Sequence, residues 1–156
     1  MYDLEHRKPR KVAMKNSSLL RTLPYAGTLP FVLGAAAQFS STLPTLIYMV
    51  MFIDVQHLVL SYGLLIVSFM AGVHWGQSVS GVQSRFNLLV SSNAVALIAW
   101  GCYLTLPPFY VCLVFAALFA LLYVIDTQLS LDPNYLQTRR NVTCIVCISL
   151  VAVAFS

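Results

Sequence analysis

The side chains that could do chemistry in this 156-residue chain are few, and they lie at the ends of apolar segments. Asp54 and His57 stand three residues apart, so on a helix they share one face. A carboxylate there could hold an imidazole as an ion pair or as a proton relay, and an ionisable group inside a membrane is by default a functional hypothesis. The alternative is that both side chains lie at the membrane surface, where Asp54 would serve only as the N-cap of a helix.

His74 and Trp75 form a second polar pair, at the far end of the same apolar segment. Both residue types are typical of the membrane interface, where an amphipathic side chain reaches water. The functional interpretation is a ligand or headgroup contact shared with Arg85 and the first apolar segment. Asn87 begins the third apolar segment, whose first half carries several polar side chains. Hydrogen bonds between helices would explain these polar residues. The ligand-binding candidates are therefore Asp54, His57, His74, Trp75, Arg85 and Asn87.

These residues do not form a recognisable catalytic set or a metal site. His57 and His74 would be separated by about 25 Å along one helix, so they cannot ligate a single haem iron. Cys102 and Cys112 flank a Pro-Pro turn and could pair on an oxidising face, although we prefer the interpretation that both are small apolar packing residues. We assign no catalytic residue, no metal and no cofactor, and we expect a protein that is not an enzyme.

The composition identifies the solvent in which this chain folds. Hydrophobic residues make up 59% of the sequence and charged residues 9%, whereas soluble domains carry roughly 25% charged residues. We therefore predict an all-α, polytopic membrane bundle. A basic tail at 1–20 precedes a single membrane domain at 21–156.

Five transmembrane helices are predicted from the apolar segments. They cover about 22–39, 54–77, 87–106, 109–125 and 141–156. Residues 41–53 are too short for a crossing and are interpreted as re-entrant, interfacial or continuous with the second helix. With this assignment all nine Lys and Arg residues fall on one side, which places the N-terminus inside and the C-terminus outside.

Small residues recur at helical spacing in two of the segments and predict where helices approach closely. Pro30 should kink the first span, and the kink should face a neighbouring helix rather than lipid. We expect the small-residue edge of the first span to dock on the edge of the second. The first edge consists of Ala26, Pro30 and Gly34, and the second of Ser68, Gly72, Gly76 and Ser80.

Two stretches, PYAGTLPF at 24–31 and SYGLLIVSFMAGVHWG at 61–76, carry a family resemblance. They resemble the small membrane proteins of transmembrane protein 69 type, which contain the domain of unknown function 3429. The stretch at 61–76 is similar to the second sequence motif of that family. It differs at a Gly-Gly pair of the motif, where Ala71 stands in place of the first glycine. The resemblance implies the helical membrane architecture and a basic or imidazole group at His74, and it implies no particular reaction.

The function that follows is that of a binding or accessory protein, which docks lipid, a hydrophobic small molecule or a larger membrane complex. The alternative is a small transporter or channel that uses Asp54, His57 and the polar third helix; an intramembrane redox enzyme is less favoured. Expected partners are the bilayer and either another membrane protein or a second copy, in a bacterial inner membrane or alternatively a mitochondrial inner membrane. Nucleic acid is not expected, because six of the nine basic residues lie in the first 21 positions beside an apolar segment.

Overall fold

The computed structural model describes residues 17–82, 84, 87–129 and 131–155, with side chains from Thr22 onward. This part of the chain contains seven α-helices and no strand. The helices are α1 (Ser17–Ala26), α2 (Leu29–Ala37), α3 (Leu43–Met51), α4 (Val55–Val79), α5 (Leu88–Thr105), α6 (Pro108–Thr127) and α7 (Pro133–Ala154). Helices α4 to α7 are each long and apolar enough to cross a membrane. The predicted polytopic helical bundle is confirmed.

The second, third and fourth predicted spans correspond to α4, α5 and α6, with ends that agree within two residues. The fifth begins earlier than predicted, because Asp132 and Pro133 start a helix there. The Asp132 carboxylate accepts hydrogen bonds from the backbone N–H groups of Asn134 and Tyr135, and proline fits the first helical turn. The loop expected between the fourth and fifth spans, at 126–140, is therefore wrong from Pro133 onward, and Arg139 lies inside α7.

The first predicted span is divided into two helices. A single helix over 22–39 with a kink at Pro30 is wrong, because the chain breaks earlier, between Ala26 and Leu29, and Pro30 lies in the first turn of α2. The break faces inward, as expected, and its backbone groups are satisfied. The Tyr62 hydroxyl donates to the Gly27 carbonyl at 3.1 Å, and the buried Thr28 hydroxyl donates to the Tyr25 carbonyl at 2.8 Å.

Helices α1 and α2 follow each other along α7. Near one end the Asn141 amide donates to the Tyr25 hydroxyl at 3.3 Å. Near the other end, Val153 Cγ2 lies 3.9 Å from the position that a Cβ on Gly34 would take. The residue numbers of both segments rise in the same direction between these points, so α2 runs parallel to α7. Together they occupy the place of the predicted first span.

The close approach between the first span and α4 is made by Gly34 and Val59, and the expected docking on Gly72 and Gly76 is wrong. A Cβ on Gly34 would overlap Cγ2 of Val59, whereas a Cβ on Gly72 or Gly76 would meet no atom within 4 Å. The buried face of α4 includes Val59, and the expected edge lies on nearly the opposite side of the helix, rotated by about 170° from the centre of the buried face. Elsewhere on the predicted edges, Ala26 and Ser80 are exposed, and Pro30 and Ser68 are half-buried.

Helix α3 occupies most of the ambiguous segment at 41–53, and none of its residues is buried. It ends at Phe52, which adopts a left-handed backbone conformation with φ of 56°. Asp54 then caps a new helix, α4. The alternative in which this segment continues into the second span is therefore wrong, and the re-entrant and interfacial interpretations stay predictions.

Candidate functional site

A cluster of three ionisable side chains is buried where α4, α6 and α7 meet. His74 Nε2 lies 2.7 Å from Asp126 Oδ1, and Arg139 Nε donates to Asp126 Oδ2 at 2.7 Å. The exposed fractions of His74, Asp126 and Arg139 are 0%, 2% and 8%. His74 lies near the end of α4, Asp126 in the last turn of α6 and Arg139 in the second turn of α7.

The Asp126 carboxyl group is the centre of this cluster. Arginine is always charged in proteins, and burial of its charge requires a partner, so Asp126 is assigned as the carboxylate. Each carboxylate oxygen then accepts one bond, Oδ1 from His74 and Oδ2 from Arg139.

Three buried polar atoms at or near the cluster have no hydrogen-bond partner among the described residues. They are Nδ1 of His74, Nη2 of Arg139 and Oε1 of Gln77, which lies three residues after His74 on the same face of α4. Leaving such an atom unsatisfied costs roughly 1–3 kcal/mol. Buried polar groups are rarely left unpaired in folded proteins, so these atoms indicate unused capacity to bind a polar group.

A partly enclosed cavity of about 350 Å³ lies against Arg139 and is bounded mainly by α1, α2, α4 and α7. Tyr135, Thr138 and Arg139 line it at one level of α7, and Val146 lines it further along. Because each helical residue adds 1.5 Å, the lining extends about 16 Å along α7. The cavity is therefore elongated and has a polar end beside the buried cluster.

The rest of the cavity is largely apolar, with Thr28 and Thr143 as its polar side chains. Phe31 and Phe119 are buried side chains that line it, and their rings meet edge to face with centroids 5.8 Å apart. Leu23 of α1 and Phe69 of α4 also line it, although they are 70% and 65% exposed. Exposed apolar side chains on membrane-spanning helices contact lipid. The cavity therefore has an exposed apolar rim formed by side chains of α1 and α4.

Of the predicted ligand-binding residues, only His74 belongs to the buried cluster. The expectation that its ring reaches water is wrong, because the side chain has no exposed surface; its position at the membrane interface stays a prediction. Trp75, its neighbour, is exposed. Asn87 is the N-cap of α5, where its side chain accepts from the Val90 N–H at 3.3 Å. Arg85 lies outside the described residues.

Asp54 and His57 form the expected pair, at the opposite end of α4 from His74. The Asp54 carboxylate caps the helix by accepting from the His57 N–H at 2.8 Å, and its other oxygen lies 2.7 Å from the His57 ring. Partial burial raises the pKa of Asp54, but the hydrogen bonds and the charge of His57 outweigh it, so the pKa of Asp54 lies below its usual value. Both side chains are exposed, and neither lines the cavity.

Asp126 and Arg139 were not predicted as site residues. The predicted spans leave both outside the membrane, Asp126 directly after the fourth span and Arg139 shortly before the fifth. The available signal was their position beside apolar segments, where a buried charge requires a partner of opposite sign.

Comparison with known proteins agrees with this architecture. A search of curated proteins and a search of solved structures found no match to the chain. The family model described as "Protein of unknown function (DUF3429)" matches residues 17–155, which include all seven helices, the cluster and the cavity. The chain is therefore a member of the DUF3429 family of proteins of unknown function.

Proposed function

We propose that this multi-pass membrane protein binds a hydrophobic, amphipathic small molecule of the bilayer in the cavity beside Arg139. The observation that carries the proposal is a largely apolar cavity of about 350 Å³ whose wall includes Arg139, a charged side chain that is more than nine-tenths buried. Binding sites for small molecules are mostly apolar with a few polar groups that fix orientation.

The size and the polarity of the cavity support this proposal. Its volume of about 350 Å³ lies within the range of roughly 300–1,000 Å³ that is usual for ligand sites. The polar end lies beside Tyr135 and Arg139, near the end of the bundle, whereas Phe31 and Val146 line an apolar part. A molecule with a polar head and a hydrocarbon tail would match both parts, and the rim between α1 and α4 would admit it from the bilayer.

An accessory role in a larger membrane complex is compatible with such a site, since a bound lipid-like molecule could be presented to a partner. The transporter alternative stays a prediction that no observation on the described residues favours. Asp54 and Asn87 each cap their own helix, and neither lines the cavity. We place the protein in a bacterial inner membrane, with the mitochondrial inner membrane as the alternative.

Filling the cavity should remove the ligand. Val73 lines the cavity and is half-buried, so Val73→Phe would place a ring where the ligand lies. We expect the variant to bind the ligand about tenfold more weakly than the wild-type protein. Native mass spectrometry from mild detergent, which gives the fraction of protein that retains a bound small molecule, should therefore show a lower fraction for the variant.

Val79→Phe is the matched control, because it makes the same change on the same helix at a residue that is 64% exposed and does not line the cavity. It should retain the wild-type ligand occupancy. Equal occupancy in both variants, or a wild-type protein that carries only loosely attached detergent and lipid, would count against the proposal.

A further inference from the structure

We infer that the cavity takes up one hydrocarbon chain, methyl end first, and that buried side chains at its far end limit the inserted length to about 12 carbons. This inference rests on the proposed function and specifies the part of the ligand that the protein encloses. It follows from the levels at which the lining residues lie along their helices, and it does not depend on the chemistry of the ligand's head.

The far end of the cavity is the end opposite the buried cluster, and side chains from four helices meet there. Counted along α4, α6 and α7 from the three cluster residues, the lining residues at this level lie seven or eight residues away, which is about 10–12 Å. They are Ile66 of α4, Phe119 of α6 and Val146 of α7. Phe31 of α2 lies at the same level, since its ring meets Phe119 edge to face.

The helices close on each other beyond the far end, so the cavity stops there. Gly63 lies about one turn further along α4, and a Cβ on it would lie 2.9 Å from the Phe115 ring and 3.6 Å from the Phe31 ring. One turn further again, a Cβ on Gly34 of α2 would overlap the Val59 side chain of α4. No space for a chain is left between α2, α4 and α6 at these positions.

The opposite end of the cavity is open. Tyr135 lines it there and is 37% exposed, whereas Phe31 at the far end has no exposed surface. Because burial of a polar head among apolar side chains is costly, an amphipathic molecule keeps its head near Tyr135 and inserts its methyl end. The lining extends about 16 Å along α7, and an extended hydrocarbon chain advances about 1.3 Å per carbon, since its staggered bonds are about 1.5 Å long. About 12 carbons therefore fill the length of the cavity.

The volume of the cavity agrees with this length and leaves no room for a second chain. A protein cavity of about 150 Å³ takes up one benzene molecule, which has six carbons. On that scale the volume of about 350 Å³ holds about 14 carbons in total. A lipid with two chains must therefore leave one of them outside, along the exposed rim formed by α1 and α4.

Three methyl esters that differ only in chain length test the limit. Methyl octanoate, methyl dodecanoate and methyl palmitate have chains of eight, twelve and sixteen carbons. Each is added to the wild-type protein at the same mole fraction in the detergent micelle, so that transfer of the chain from water into detergent cancels, and native mass spectrometry measures the binding. We expect methyl dodecanoate to bind about tenfold more tightly than methyl octanoate, because each further carbon in the cavity gains dispersion contacts. Methyl palmitate should bind within about twofold of methyl dodecanoate, because its surplus carbons stay outside.

A larger side chain at the far end should act on long chains alone. Ile66 lines the cavity and is half-buried, so Ile66→Trp shortens the space at this level. We expect the variant to bind methyl dodecanoate about tenfold more weakly, and to bind methyl octanoate unchanged, because the shorter chain does not reach the far end. Leu65→Trp is the matched control, since Leu65 is 62% exposed and does not line the cavity. It should change the binding of none of the esters.

An affinity that rises from methyl dodecanoate to methyl palmitate by a further factor of about ten, or that is equal for all three esters, would overturn the length limit and leave the proposed binding function intact. The same conclusion would follow if Ile66→Trp weakened all three esters equally. If no ester binds and the wild-type protein carries no small molecule, both the limit and the proposed function are wrong. The wild-type series decides the limit even if Ile66→Trp does not fold.

Discussion

Asp126→Ala is expected to lower the free energy of unfolding in detergent by about 3–5 kcal/mol. The Asp126 carboxylate accepts hydrogen bonds from both His74 and Arg139. Its removal leaves the charge of Arg139 buried without a counter-ion, and an unpaired buried charge is among the most destabilising single changes. Equilibrium unfolding in a denaturing detergent, with helicity as the signal, measures the loss.

Two further variants identify the cause of that loss. The double variant Asp126→Leu with Arg139→Met removes both charges, so it should be markedly more stable than Asp126→Ala. Asp132→Ala is the control, because it removes an exposed helix cap and should cost about 1 kcal/mol. A loss in Asp126→Ala no larger than in the control would mean that the cluster is hydrated rather than dry.

Gly34→Ala is expected to lower the free energy of unfolding by about 1–3 kcal/mol, although alanine favours helices more than glycine does. The added methyl group would overlap Cγ2 of Val59, a side chain with no exposed surface. Valine is confined to one main rotamer in a helix, so it cannot easily turn away. The helices must therefore separate, and thermal unfolding in detergent measures the cost.

Gly72→Ala makes the same change where a Cβ would meet no atom within 4 Å. It should leave stability unchanged or raise it by up to about 1 kcal/mol. A double-mutant cycle with Val59→Ala should show a favourable coupling, because the smaller side chain makes room for the methyl group. The packing of α2 on α4 would be contradicted if Gly34→Ala were as harmless as Gly72→Ala.

The positions of α4, α5 and α6 could be predicted from the sequence because the membrane imposes a length and a polarity on each crossing. The division of the first span could not, because a proline near the start of a segment is compatible either with a kink or with a new helix. The face of α4 that packs against the other helices could also not be predicted from the sequence. Small residues permit close approach at Gly34 and at Gly72 alike, and only the neighbouring helices decide which is used.

The candidate site shows the same limit. His74 was recognised as a ligand candidate because an imidazole stands out in an apolar segment. Its partner Asp126 lies 52 residues away in sequence, and Arg139 lies in a part of the predicted loop that belongs to α7 in the structure. Pairing of distant charges depends on the order in which helices pack, and the sequence does not specify that order locally.

The most direct measurement of the central claim is photo-crosslinking with a methyl palmitate analogue that carries a diazirine in its hydrocarbon chain, followed by mapping of the labelled peptides. We expect the labelling to concentrate on residues that line the cavity, such as Phe31, Val142 and Val146. Excess methyl palmitate should abolish this labelling, and Val73→Phe should suppress it. Labelling spread over the exposed surfaces of α3 and α5, unaffected by competition or by Val73→Phe, would contradict the claim that this protein holds a ligand beside Arg139.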